Sequence, residues 1–192
     1  MILEELIEAG VHVTISAGNT KQKIDVVGGT DYDNTYLQYG VTRYYHRGGS
    51  PHSQNAHIVG NIDSTTVSNS GVILEQKATS SETGPGVSIW APGTNIMSSS
   101  SNISTGFTSD TYYFNNGFKQ ANISGTSMAA PQVAGVISLY LQIQPDATPA
   151  EVKDFIQDNA EVNDLYQPGD GAAYNNDRAL LLSSPRFLLN QY

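Results

Sequence analysis

The chain has 192 residues, of which 39% are hydrophobic and 14% charged, a balance that describes a globular domain with one core rather than a disordered segment. A net charge of −9 argues against nucleic acid or an anionic membrane as a partner, and the absence of cysteine excludes disulfides, zinc–thiolate sites and thiol catalysis. No apolar run is long enough to span a bilayer, and Met1 to Ala9 carry neither the basic region nor the cleavage site of a signal peptide, so the compartment stays open.

Ile2, Leu3, Leu6 and Ile7 fall on one face at helical spacing, with Gly10 placed to end the helix. The β-branched run Val11 to Ser16 predicts a strand, and a helix leading into a buried strand predicts a parallel sheet. Residues 20–55 are polar and read as a long surface excursion with a short hairpin. Ala56 to Ile62 is the next predicted strand. Residues 63–86 read as loop around the apolar piece Val72-Ile73-Leu74, and Val87 to Trp90 as a further strand closed by Ala91-Pro92-Gly93. The serine run Ser98 to Ser101 predicts a mobile loop. Asn115-Asn116-Gly117, between Tyr112–Phe114 and Phe118–Ala121, predicts a hairpin turn, because both Asn and Gly tolerate positive φ. A helix is expected over Ser127 to Gln144, stopped by Pro145. A second is expected after Thr148-Pro149-Ala150-Glu151, a capping box with Pro at the first helical position. There is no internal repeat and no linker.

The chemistry concentrates in Gly125-Thr126-Ser127-Met128-Ala129-Ala130-Pro131-Gln132-Val133-Ala134-Gly135. Here a serine opens a long apolar helix, small neighbours leave room for a substrate backbone, and the helix end offers free N–H groups to developing negative charge. A serine in such a place is by itself an ordinary cap. The whole string, however, resembles the nucleophile motif of the subtilisin-like serine proteases (subtilases), with Gln132 where that family generally has His. Ile15-Ser16-Ala17-Gly18-Asn19, a strand running into Gly-Asn, resembles the family's oxyanion-asparagine segment. Three weaker likenesses follow the family's order: Val59 to Ser64, Gly84 to Gly93, and the closing turn from Gly169 through Asn175-Asn176 to Ala179.

The resemblance spans residues 2 to 182 and implies a three-layer α/β fold with a mostly parallel sheet. That fold is expected to be present only in part, residues 1–192 forming the later portion of a catalytic domain whose N-terminal strands are missing. It implies Ser127 as nucleophile and Asn19, with the Ser127 N–H, as oxyanion donors. It also implies Ser16, Ala17, Gly18, Gly125 and Thr126 as substrate-binding residues, and a protein or peptide substrate. The family's triad runs Asp, His, Ser, with the first two before the oxyanion asparagine. Only eighteen residues precede Asn19, none is Asp, and His12 lacks the family's His-Gly-Thr context. His46, His52 and His57 are expected to be surface or loop histidines, and Asp31, Asp33 and Asp63 lack the family's context for the catalytic aspartate. The chain alone is therefore expected to be inactive, its partner being a missing N-terminal half, and the strand ending at Ser16 is expected to show an open edge. No metal site stands out, and calcium enters by family resemblance only.

The alternative is a degenerate, non-catalytic member serving as a structural or binding module. Decay of Ser127, Gly125, Asn19 and Gly18 would be expected of it, and all four are intact. An α/β esterase would need Gly-x-Ser-x-Gly and a later histidine; Ala129 stands where the second glycine should be, and no His follows Ser127.

Overall fold

The computed structural model describes residues 2–46, 53–67, 69–71, 73–103, 109–162 and 178–179. Helix α1 (Ile2–Glu8) ends where predicted: the Gly10 N–H donates to Ile7 C=O and the Val11 N–H to Leu6 C=O, the paired bonds of a Schellman cap. Only half of its apolar face is used. Leu3 and Ile7 pack into the core, while Ile2 and Leu6 stay exposed. Strand β1 is Thr14–Ser16, shorter than the run from Val11, because pairing with its neighbour begins only at the Val13 carbonyl. The polar excursion holds the expected hairpin, β2 (Thr35–Gln38) and β3 (Val41–Tyr44), joined through Tyr39 and Gly40, both at positive φ as a two-residue turn of the I′ kind requires. Ile24 and Asp25 in the same excursion are nevertheless buried.

Strand β4 (His57–Val67) extends well past the predicted Ile62, and β5 (Ile73–Lys77) folds back on it antiparallel, where a loop was expected. Thr65, Thr66 and Val67, all β-branched, suit the extended backbone that continues β4. Next come β6 (Ile89–Pro92), β7 (Ile96–Ser100), β8 (Asp110–Thr111) and β9 (Lys119–Ile123). The serine run is thus strand rather than mobile loop: Ser98, Ser99 and Ser100 pair with Ala121, Gln120 and Lys119. The ladder is made by backbone groups, so weak side-chain preferences do not forbid it. β8 and β9 do form a hairpin, but seven residues connect them, with the Gly117 N–H donating to Asn115 Oδ1 inside the loop. Helices α2 (Thr126–Ile143) and α3 (Pro149–Asp158) follow, the second with both bonds of its capping box formed. The last strands are β10 (Glu161–Val162) and β11 (Arg178–Ala179). Apart from Ala179, the predicted closing turn lies outside the described residues, as do His52 and Val72.

The main sheet runs β1-β4-β6-β11-β10, with the first four strands parallel, β10 antiparallel, and β5 on β4. Successive side chains alternate faces. Ile58, Ile62 and Trp90 point toward α1 and the Ile24 segment, while Val59, Ile89 and Ala91 meet Ala129, Val133 and Ile137 of α2 and Val152 and Ile156 of α3. This is the expected three-layer α/β arrangement. Among the described residues β1 is the outermost parallel strand, with β4 its one strand neighbour.

Candidate active site

Parallel strands deliver their carboxyl ends to one edge, and loops carrying ligand-binding groups gather there. β1 leads into Ala17-Gly18-Asn19. The Ala17 N–H still donates to Val59 C=O, and then Gly18, at φ +121°, turns the chain out of the sheet. Only glycine fits here: a Cβ would come 2.6 Å from the Glu82 carboxylate, and the backbone lies where side chains are strained. β6 leads to Gly93, whose carbonyl accepts from the Gly125 N–H at 2.8 Å. That bond pins the start of α2 to the same edge.

Thr126 ties the two loops together. It is wholly buried, and its hydroxyl oxygen accepts from the Gly18 N–H at 3.1 Å. Its backbone N–H donates to Asn19 Oδ1 at 3.0 Å, and its hydroxyl lies 3.3 Å from the same oxygen. A backbone N–H can meet only the oxygen of an amide, so this bond sets the orientation of the Asn19 side chain and leaves Nδ2 directed away from Thr126. Asn19 and Ser127 are both exposed, whereas Gly125 and Thr126 are buried between them. Ser127 is the second residue of α2, and its N–H is one of the first four in the helix, which have no intrahelical acceptor. Pro131 has no N–H to offer the Ser127 carbonyl four residues earlier, so that carbonyl too stays outside the helical ladder. An exposed serine thus stands at a helix N-terminus, directly after the buried threonine that holds the Asn19 amide by its oxygen.

The edge rests on a polar layer that the sequence did not reveal. Asn61 is buried at the end of the parallel part of β4; its Nδ2 reaches Thr94 Oγ1 at 3.2 Å, and its N–H donates to Ser81 Oγ at 3.1 Å. The Ser81 hydroxyl donates to Glu82 C=O, the Glu82 N–H to Gly18 C=O at 2.9 Å, and the Thr20 hydroxyl to Glu82 Oε1 at 2.6 Å. Polar residues without periodicity read as loop; their burial comes from strands far apart in sequence closing over them. Gln132, which departs from the resembled motif, acts locally. Its amide donates to Pro92 C=O and to Met128 C=O, anchoring α2 to the end of β6.

The structure brings Ser127, Asn19, Gly18, Thr126 and Gly125 together, with Ser16 and Ala17 just behind on β1. It brings none of the described histidines there. His46 lies in the excursion, its Nδ1 on Tyr32 C=O and its ring stacked on Tyr32 and Tyr44. His12 precedes β1 and His57 opens β4, both at the amino ends of their strands, opposite the Ser127 edge. His57 is a correction to the expectation of a loop histidine: it is 2% exposed, since β1 and the Lys153 side chain of α3 close over the start of β4. Burial first, then the Lys153 ammonium and His12, push its pKa down to about 4, so it is neutral near pH 7. Asp63 bonds the Thr65 backbone and hydroxyl, and Asp31 forms an ion pair with Lys23. Among the described residues no three His, Asp or Glu side chains converge as a metal site would need.

The sheet order, the two helical layers and the serine at the carboxyl edge define an α/β protein with a candidate acyl-transfer site. Residues 3–180 match the Subtilase family, and the chain belongs to it. It is 31% identical over 159 residues to the subtilisin-like serine protease Rho m 2.0101 of Rhodotorula mucilaginosa, covering 77% of this chain and 34% of that protein. It is 30% identical over 172 residues to the serine protease AprX of Bacillus subtilis, covering 83% of this chain and 32% of that one. Two solved structures share the fold: fervidolysin from Fervidobacterium pennivorans, a keratinolytic enzyme related to subtilisin (24% identity, TM-score 0.62, 93% of this chain and 22% of that one), and a cold-adapted subtilisin-like serine proteinase (22%, TM-score 0.57, 93% and 47%). The chain therefore spans about a third of the length of these two curated relatives.

Proposed function

We propose that residues 1–192 form the nucleophile-bearing part of a serine endopeptidase domain, with Ser127 as nucleophile and Asn19 Nδ2 and the Ser127 N–H as oxyanion donors. The observation that supports this reading is the Thr126 N–H bond to Asn19 Oδ1, which holds the amide by its oxygen next to the residue preceding Ser127 and leaves Nδ2 as the donor. In the proposed reaction Ser127 Oγ attacks the peptide carbonyl carbon while its proton passes to a histidine oriented by an aspartate. The carbonyl oxygen takes the negative charge and is held by the two donors and the positive end of α2. The C–N bond then breaks, the amine leaves with the proton, and water releases the acyl group from Ser127. No cofactor enters these steps. Ser16 to Gly18 would line one wall for the residue before the scissile bond, and Gly125 and Thr126 would border the backbone of the substrate.

The histidine and aspartate belong, in this reading, to a segment preceding residue 1 that also pairs with β1. A hydroxyl without a base is a poor nucleophile, so the isolated chain is expected to show negligible peptide turnover. The test is to express the gene together with the reading frame upstream of the Met1 codon and assay peptide hydrolysis. Activity abolished by Ser127→Ala supports the reading. Asn19→Ala should then lower kcat about 10²–10³-fold, the loss seen for this donor in subtilisin itself, with KM little changed. Turnover by the pure chain, lost in Ser127→Ala, would contradict the need for an upstream segment. An upstream frame without the Asp and His motifs would favour a non-catalytic module.

A further inference from the structure

We propose that Glu82 is a positioning residue for the Asn19 amide, an inference that rests on the oxyanion reading of Asn19. Gly18 is required at its turn, but glycine is also the most permissive backbone unit, and it stands immediately before the side chain that must be held in place. Glu82 acts on both flanks of Asn19. Its carboxylate fills the space that a Gly18 Cβ would occupy, 2.6 Å from that position. Its N–H donates to Gly18 C=O at 2.9 Å. Its Oε1 accepts from the Thr20 hydroxyl at 2.6 Å. Residues 18 and 20 are thus both held by one residue, Gly18 by its backbone N–H and the bulk of its carboxylate and Thr20 by its Oε1, and Asn19 between them keeps the backbone from which its Oδ1 meets the Thr126 N–H.

Burying a carboxylate is costly, and Glu82 is 0% exposed. Filling the space behind Gly18 would need no acceptor. An acceptor there meets a hydroxyl donor on the far side of Asn19. Glu82 is wholly buried, so it acts through Asn19 rather than on a substrate.

The experiment uses the chain itself, labelled with 15N, and follows two signals by NMR: the Asn19 side-chain NH₂ pair and the exchange rate of the Gly18 N–H. Glu82→Ala should displace and broaden the Asn19 pair. It should also speed Gly18 exchange by on the order of tenfold or more, because the loosened turn frees the Gly18 N–H from Thr126 Oγ1. Glu82→Gln keeps the shape and an acceptor for Thr20 and should restore both signals. Thr20→Val removes only the donor, leaves Glu82 in place, and carries the test if Glu82→Ala does not fold; it should displace the Asn19 pair in the same direction. An Asn19 pair and Gly18 exchange rate unchanged in the folded variants, or a Glu82→Gln chain as disturbed as Thr20→Val, would overturn the proposal. The readout needs no turnover, so failure of the completed domain to cleave peptides would defeat the protease reading without touching this result.

Discussion

Gly60 of β4 lies beneath the indole of Trp90, and a Cβ there would come 2.5 Å from Trp90 Cε3. The ring is wholly buried, with Lys77 Nζ 4.7 Å from its centroid, so it has no free direction in which to retreat. Gly60→Ala should therefore destabilise the fold by about 1–3 kcal/mol through overpacking, read as a lower denaturant midpoint at unchanged slope. At this scale the candidate site was half legible. Ser127 and Asn19 stood in strings whose type and order point to acyl transfer, and the structure sets them at one edge. Glu82, Asn61, Ser81 and Thr94 carried no signal. A buried polar residue announces itself only through the partners that satisfy it, and those lie 20 to 64 positions away.

Among the elements, α3 shows local chemistry setting a boundary. The Thr148 side chain accepts from the Glu151 N–H, Glu151 Oε2 accepts from the Thr148 N–H at 2.8 Å, and Pro149 takes the position where no N–H is needed. Thr148→Ala should cost about 1 kcal/mol, seen as a lowered thermal midpoint with the helix otherwise intact. Local chemistry misleads in the serine run. Ser98 to Ser100 have no strand preference, yet β9 offers a ladder and the residues join it. The same holds for β5, whose partner β4 fixes it as a strand. Helix ends were readable because capping acts within four residues; β5, β7 and the extension of β4 were not, because pairing is a property of two segments.

For the whole molecule, His57 links packing to pH. Its ordinary pKa is near 6.5 in an unfolded chain and about 4 in the fold, where burial, Lys153 and His12 oppose a further charge. The folded state holds the neutral ring while the unfolded state takes up a proton below pH 6.5. The stabilising effect is thus full above that pH and is lost as pH falls from 6.5 toward 4, reaching about 3 kcal/mol at the acid end. Urea denaturation between pH 7 and pH 4.5 should show this decline, and His57→Gln should flatten it; a wild-type midpoint that does not move over this window would refute the burial argument.

Sequence alone determined the class of fold and the family and marked Ser127 and Asn19 as candidate site residues, because these rest on residue type, short spacing and chain order. Tertiary structure decided which way the Asn19 amide faces, that Thr126 joins the two loops, and that His57 is buried. Each of those depends on groups up to 108 residues apart meeting at the edge or the interior of one sheet, and no local pattern encodes such a meeting.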